Sequence, residues 1–288
     1  VTASVVVTGA RGFIGREVVR QLRSSGSDVI EVHHAWGDAA ELDRFVGDAI
    51  IDSCIHLGWY AEPSDYLINV RRNLQSLESS CVLVEWLEAR GASHLVVAGS
   101  CAEYRESATA HDERDCPGPW STYGAAKVAL WYLLGSSFRP SGLTVAWARI
   151  FNVTGPGEHP DRLMPYVARR VSEGHRVPLS PGAQVRDYLD VEDVASALIA
   201  LSRNRADGTF NVCSGVGVSL RSLLVLVAEG LGAAELLDFG ARPYGQHDAM
   251  SVVGTNSALQ QATGWTPSFD VVAIATRVVE QWRSDSGE

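Results

Sequence analysis

Short apolar runs alternate with longer stretches of helical periodicity along this chain, an alternation that predicts a parallel sheet whose strands are joined by crossover helices. Strands are expected near 4–8, 29–33, 53–57, 95–98, 144–149 and 209–212, and helices near 13–24, 39–47, 66–90, 121–135 and 191–204. Only about twenty residues separate His33 from Ser53, so one strand-helix unit must be cut short there. The expected fold class is α/β, a doubly wound parallel sheet.

The first strand runs into Thr8-Gly9-Ala10-Arg11-Gly12-Phe13-Ile14-Gly15 and then a helix. Thr8-Gly9 lets the chain turn sharply, and Gly12 lets a pyrophosphate approach the backbone. Gly15 lets the helix pack closely on the strand, with its N-terminal amides facing the phosphates. A glycine triplet alone is also what a strand-helix turn without a ligand would show. Tyr123-Gly124-Ala125-Ala126-Lys127 narrows the reading. Tyr123 and Lys127 are four apart in a predicted helix capped by Ser121 and stopped at Gly135, so they share one face. An ammonium near a phenol favours the phenolate, and Lys127 is therefore expected to depress the pKa of Tyr123 and make its proton available near neutral pH. Tyr123 is the candidate general acid. Ser100, at the end of the apolar run His94-Leu95-Val96-Val97-Ala98-Gly99, is the candidate hydroxyl that orients a carbonyl, because ligands of doubly wound sheets bind at that end of the strands.

With these motifs in order, the chain resembles the extended short-chain dehydrogenase/reductase family, in its sugar-nucleotide branch of epimerases, 4,6-dehydratases and 4-ketoreductases. The similar segments run through nearly the whole chain. They include Ile55-His56-Leu57-Gly58-Trp59, Asn69-Val70, Arg149 to Glu158, Arg162-Leu163-Met164-Pro165, Arg186 to Val194, Asn211 to Gly215 and Gly264-Trp265-Thr266-Pro267. The resemblance implies a Rossmann domain over 1–152 and 184–213 and a smaller, interleaved C-terminal substrate lobe over 153–183 and 214–288. It implies cofactor contacts from Gly9, Arg11, Gly12, Phe13, Ile14, Gly15, His33, His34, Leu57, Gly58 and Lys127. Substrate contacts are implied for Ser100, Tyr123, Asn152, Arg162 and Arg186. Asn152 has a plain alternative as a turn former, and both arginines have one as surface ion-pair partners. His247 stands near the place where relatives put a second phosphate-binding arginine.

Composition removes other classes. With 46% hydrophobic and 20% charged residues in 288, the chain can bury a real core. A net charge of −10 with dispersed acids and bases argues against nucleic acid, which needs a basic patch, but not against a nucleotide diphosphate. The five cysteines are scattered without CxxC spacing; reduced thiols, a cytoplasmic location and no metal site are expected. No run reaches the length of a membrane span, and no leader-like segment precedes the first strand. A homodimer is left open.

An Asp or Glu at the end of the second strand would accept from a ribose 2′-hydroxyl and repel a 2′-phosphate. His33 and His34 stand there instead, with Arg11 in reach of the same ribose, so NADP(H) is preferred and NAD(H) kept as the second option; solvated loop histidines are the plain alternative. The dehydratases of the resembled branch carry an Asp-Glu pair directly after the catalytic hydroxyl. Cys101 and Ala102 occupy those positions, and Glu103 is expected to be a structural polar residue. Cys101 is read as a small buried residue rather than an epimerising acid. The resemblance thus implies NADPH-dependent reduction of a nucleoside-diphosphate 4-keto-6-deoxyhexose. A sugar-nucleotide 4-epimerase holding NAD, and a non-catalytic dinucleotide sensor, are the alternatives.

Overall fold

Valine-rich β1 (Ser4–Thr8) leads through the glycine turn to α1 (Phe13–Ser24), then β2 (Val29–Val32), α2 (Ala39–Val46), β3 (Ile51–His56), α3 (Val70–Ala89) and β4 (His94–Ser100). A 3₁₀ turn at Cys101–Glu103, α4 (Thr122–Leu134) and β5 (Thr144–Ile150) follow. The chain then leaves for β6 (Asn152–Thr154), α5 (Leu163–Ser172), β7 (Val177–Leu179) and β8 (Val185–Asp190), and returns through α6 (Val191–Arg203) and β9 (Gly208–Val212). It ends in β10 (Gly217–Ser219), α7 (Leu220–Gly230), β11 (Leu237–Phe239), β12 (Ser251–Val252), α8 (Ser257–Thr263) and α9 (Val271–Ser286). The computed structural model describes residues 4–33, 37–136, 138–140, 142–245 and 248–286; His34 and His247 lie outside the described residues.

β1, β2, β3, β4, β5 and β9 form one parallel sheet in the order β2-β1-β3-β4-β5-β9. The period of two along each strand divides the core. On β4, Leu95 and Val97 join Trp147 of β5 against α2, α3 and α4. Val96 joins Ala146, Ala148 and Ile150 against α1 and α6 on the other face. Both faces are covered, as a parallel sheet requires. The shortening expected between His33 and Ser53 is real: α2 alone carries the chain from β2 to β3, and β2 ends the sheet. Strand order reverses between β1 and β3, which opens the crevice where doubly wound sheets bind ligands.

The helix expected at 66–90 starts only at Val70. Asn69 is its N-cap, accepting from Arg72 N at 3.1 Å, while its own amide donates to Asp65 at 2.5 Å. These contacts hold 66–68 as turns ahead of the helix. A second sheet, β10-β8-β12 with β6 beside β8, stands next to the main one. α5, α7 and α9 pack together over β7 and β11 with their own apolar cluster. The C-terminal span serves both bodies, because α8 returns to α6 and β9 and adds Leu259 to the core of the main sheet, with Trp265 following just beyond the helix. Among the described residues no helix is long and apolar enough to cross a membrane.

Candidate active site

The ends of β1 and β3 meet with no room for side chains. Gly9 has φ +66°, and a Cβ on it would lie 2.8 Å from the Leu57 carbonyl carbon; a Cβ on Gly15 would lie 2.1 Å from Gly9 O. The first turn of α1 is thereby drawn against the strand, and its N-cap, Gly12, has no side chain to cap it. First-turn amides left without a side-chain cap are suited to an anion. Phe13 and Ile14 of this turn are half-buried, and Arg11 is exposed.

Thr8, to which the sequence reading gave no role, joins the two loops. Its hydroxyl oxygen accepts from Leu57 N (3.1 Å) and Gly58 N (3.0 Å) and lies 2.6 Å from His56 Nδ1. Having accepted twice, the hydroxyl donates to Nδ1, which leaves Nε2 to donate to Ser80 Oγ at 2.9 Å, and Ser80 donates onward to Ser76 O. His56 is accordingly neutral; burial, assisted by Lys127, holds it down at about 3.

The turn after β1 is also tied to the end of β2, since Ala10 N donates to Val32 O at 3.4 Å. Arg11 and His33 flank that contact. His33 is half-buried with its ring edge-on to Phe45 at 5.5 Å. Glu31, the acid nearest that strand end, pairs with Arg23 at 2.7 Å. Asp38 is engaged as the N-cap of α2, accepting from Glu41 N at 3.0 Å.

Ser100, Tyr123 and Lys127 come together. Ser121 caps α4 by accepting from Gly124 N at 3.0 Å, and a Cβ on Gly124 would stand 2.2 Å from Ala102 O. That close approach seats the start of α4 on the 3₁₀ turn and places Tyr123 near enough to Ser100 for the two side chains to interact. Lys127 is buried and donates from Nζ to Ala98 O at 2.7 Å, with Nζ 5.7 Å from the Tyr123 ring centroid. Burial draws Lys127 down to about 7 against the opposing pull of Glu103.

The phenol behaves differently from the expectation. Burial raises Tyr123 well above the ordinary tyrosine value, Tyr66 adds to the shift, and Ser100 offsets only part of it. Lys127 is not among the groups that shift it; its ammonium is directed at Ala98 O instead.

Behind Ser100 lies a buried polar network. Glu103 is fully buried and accepts from Ser100 N (2.7 Å), Trp147 Nε1 (3.0 Å) and Arg149 Nε (2.8 Å). Arg149 donates to Tyr104 Oη at 2.9 Å, and Tyr104 donates to Asn211 Oδ1 at 2.7 Å. Glu103 is thus structural, as expected. Cys101 is partly buried, and burial pushes its thiol up to about 12.

The predicted substrate residues gather around a tyrosine that the sequence reading passed over. Tyr188 on β8 is opposite Asn152 in register, and Glu158, Arg186, Arg162 and Cys101 all act on its hydroxyl electrostatically. The signal for it was its place two residues from Arg186, the same face of a strand. Asn152 donates to Asp187 O at 3.0 Å and so anchors β8. Arg186 donates to Val185 O at 2.9 Å. Arg162 reaches across the cleft: its guanidinium stacks 4.9 Å above Tyr66 and contacts Tyr66 Oη at 3.4 Å, and Tyr66 packs edge-on to Tyr123 at 5.1 Å. Trp59 approaches from the same loop as Tyr66, its ring edge-on to Tyr123 at 6.3 Å.

Known sugar-nucleotide enzymes resemble this chain over nearly its full length. Over 98% of its length the chain is 28% identical to a GDP-6-deoxy-D-mannose reductase of Pseudomonas aeruginosa, 98% of which is covered. The solved structure of RMD from that organism, complexed with NADPH, superposes with a TM-score of 0.82 at 28% identity, covering 99% of this chain and 100% of that one. A UDP-glucose 4-epimerase of Thermus thermophilus in complex with NAD superposes with a TM-score of 0.87 at 25% identity, covering 97% and 99%. The NAD dependent epimerase/dehydratase family model matches residues 5–213. With that match spanning most of the chain and the glycine turn, Ser100, Tyr123 and Lys127 inside it, the protein belongs to the NAD-dependent epimerase/dehydratase family of sugar-nucleotide enzymes.

Proposed function

We propose that the protein is an NADPH-dependent reductase of the 4-keto group of a nucleoside-diphosphate 4-keto-6-deoxyhexose. The observation that carries the reading is the end of β2, where His33 stands and both neighbouring acids are engaged elsewhere, Glu31 with Arg23 and Asp38 with the start of α2. A site without a carboxylate for the 2′-hydroxyl suits NADP(H), the form used as a reductant. Gly9, Gly12 and Gly15 leave the space a pyrophosphate needs, so the first turn of α1, with Phe13, Ile14 and Arg11, would hold the cofactor on one side. Leu57, Gly58 and Lys127 would hold it on the other. When bound, the reduced nicotinamide supplies a hydride to the carbonyl carbon.

The residues of the chain do the rest. Ser100 Oγ donates to the substrate carbonyl and fixes its orientation. Tyr123 Oη gives its proton to the carbonyl oxygen as the hydride arrives, so that C=O becomes CH–OH. The raised phenol suits this direction, since a reductase needs the donor protonated at neutral pH. Asn152, Arg162, Arg186 and Tyr188 would receive the sugar diphosphate. Elimination of water lacks its acid: Cys101 and Ala102 occupy the positions of the dehydratase pair, and Glu103 is locked behind Ser100 by Arg149.

A panel of nucleoside-diphosphate 4-keto-6-deoxyhexoses with NADPH, followed by loss of the reduced nicotinamide absorbance, tests the assignment. Turnover of none of them rejects it. The second reading, a 4-epimerase, is favoured by the close superposition on an NAD-bound epimerase. NAD retained through purification, with interconversion of 4-hydroxyl epimers and no net oxidation of NADPH, would establish that reading instead.

A further inference from the structure

Lys127 is the only lysine in a chain with 24 lysines and arginines. It sits buried, with the Trp59 ring much nearer to it than the Tyr123 ring. The Nζ atom lies 3.8 Å from the centroid of the Trp59 ring while donating to Ala98 O at 2.7 Å. The indole is fixed from its far edge. Trp59 Nε1 donates to Asn73 Oδ1 at 2.9 Å, and the fully buried Asn73 amide is itself held by Tyr66 O and Asn69 O. Trp59 therefore contacts Lys127 and Tyr123 at once and is anchored to α3 rather than to α4.

We propose that Trp59 is a positioning residue for Lys127: its indole face holds the ammonium in place against Ala98 O and favours its charged form. The proposal rests on the reading of Lys127 as part of the catalytic helix. A cation over a tryptophan face is attracted by the ring quadrupole, more strongly when water is excluded, and tryptophan is the best of the aromatic residues at this. The groups facing Lys127 leave Trp59 that role. Glu103, from the 3₁₀ turn, favours the charge but is already paired with Arg149. His56, from β3, is neutral and engaged by Thr8 and Ser80. Tyr123, on α4 itself, is a neutral phenol.

A single lysine makes a direct measurement available. Protein labelled with [13C,15N]lysine gives one side-chain amine signal, which can be titrated in the absence of cofactor and substrate. Trp59→Phe and Trp59→Leu both lose the hydrogen bond to Asn73, so the difference between them reports the ring face alone. The expected pKa order is wild type above Phe above Leu, with a span of about one pH unit. Equal values for the Phe and Leu variants, or a Leu value at or above wild type, overturn the proposal. Under the proposal, the alkaline limb of kcat/KM for NADPH-dependent reduction also moves to lower pH in Trp59→Leu by the same interval. A lysine titration that shifts while this limb stays fixed would instead reject the catalytic role of Lys127 and leave its pairing with Trp59 standing.

Discussion

Glu103 and Arg149 form an ion pair at 2.8 Å in which neither side chain is exposed to solvent, and the same carboxylate receives the backbone amide of Ser100 at 2.7 Å. The backbone of Ser100, the proposed orienting residue, is therefore held by a buried carboxylate on the neighbouring turn. Arg149→Met should leave that carboxylate unpaired and lower stability by about 3–5 kcal/mol. Urea unfolding measures this. Adding Glu103→Gln to Arg149→Met should recover part of the loss, because the uncompensated charge is then gone.

Tyr123→Phe removes the proposed proton donor while preserving the ring that packs against Tyr66 and Trp59. Turnover should fall by about 100-fold or more, with cofactor affinity nearly unchanged. Steady-state kinetics with NADPH, alongside a cofactor titration, separates the two effects.

Gly15→Ala would force a methyl to within 2.1 Å of Gly9 O. Either α1 moves away from β1 or the turn opens, and both spoil the first-turn amides. Calorimetry should show strongly weakened binding of either dinucleotide together with a lowered melting temperature.

The cofactor choice rests on Arg11 and His33. NADPH should exceed NADH by at least about tenfold in kcat/KM, equivalent to roughly 1.4 kcal/mol from charge-assisted hydrogen bonds to the 2′-phosphate. Arg11→Ala combined with His33→Asp should reverse the order, because a carboxylate accepts from the ribose hydroxyl and repels the phosphate.

Lys127 also gives a pH signature of stability. Its folded pKa, about 7, lies below the ordinary value of 10.5. Between those values the unfolded chain holds a proton that the folded chain has released, so raising the pH through this interval favours the folded state. Below about pH 7 the cost of burying the charge is present in full. The stability of wild type relative to Lys127→Met should therefore grow as pH rises from neutrality, as chemical denaturation at a series of pH values will show.

Much of this architecture is local enough to be legible in the sequence. The glycine turn announces itself because Gly9, Gly12 and Gly15 meet steric demands within a few residues of one another. Tyr123 and Lys127 share a helix face by spacing alone. Ser100 follows from the end of an apolar strand. Trp59 and Tyr66 reach the cleft from a loop, and nothing in their spacing announces the meeting; Tyr188 was marked only by its place two residues from Arg186. The direction of the Tyr123 shift was hidden for a related reason. The sequence shows a lysine four residues away but not that its ammonium donates to Ala98 O or that both side chains are out of water. The start of α3 depended on Asp65 holding Asn69, a side-chain bond that periodicity does not register.

The excursion between β5 and β9 bears on the order in which the chain can fold. Residues 151–207 intervene before β9 can pair with β5 from Ala146↔Gly208 to Ile150↔Val212. A nascent chain that has emerged only as far as residue 207 presents β5 as a bare edge, without Phe210, Val212, Leu259 and Trp265 to complete its core. The N-terminal half cannot finish ahead of the rest and wait. A fragment cut at Asn152 would be an aggregation-prone sheet with an open edge at β5 rather than a domain.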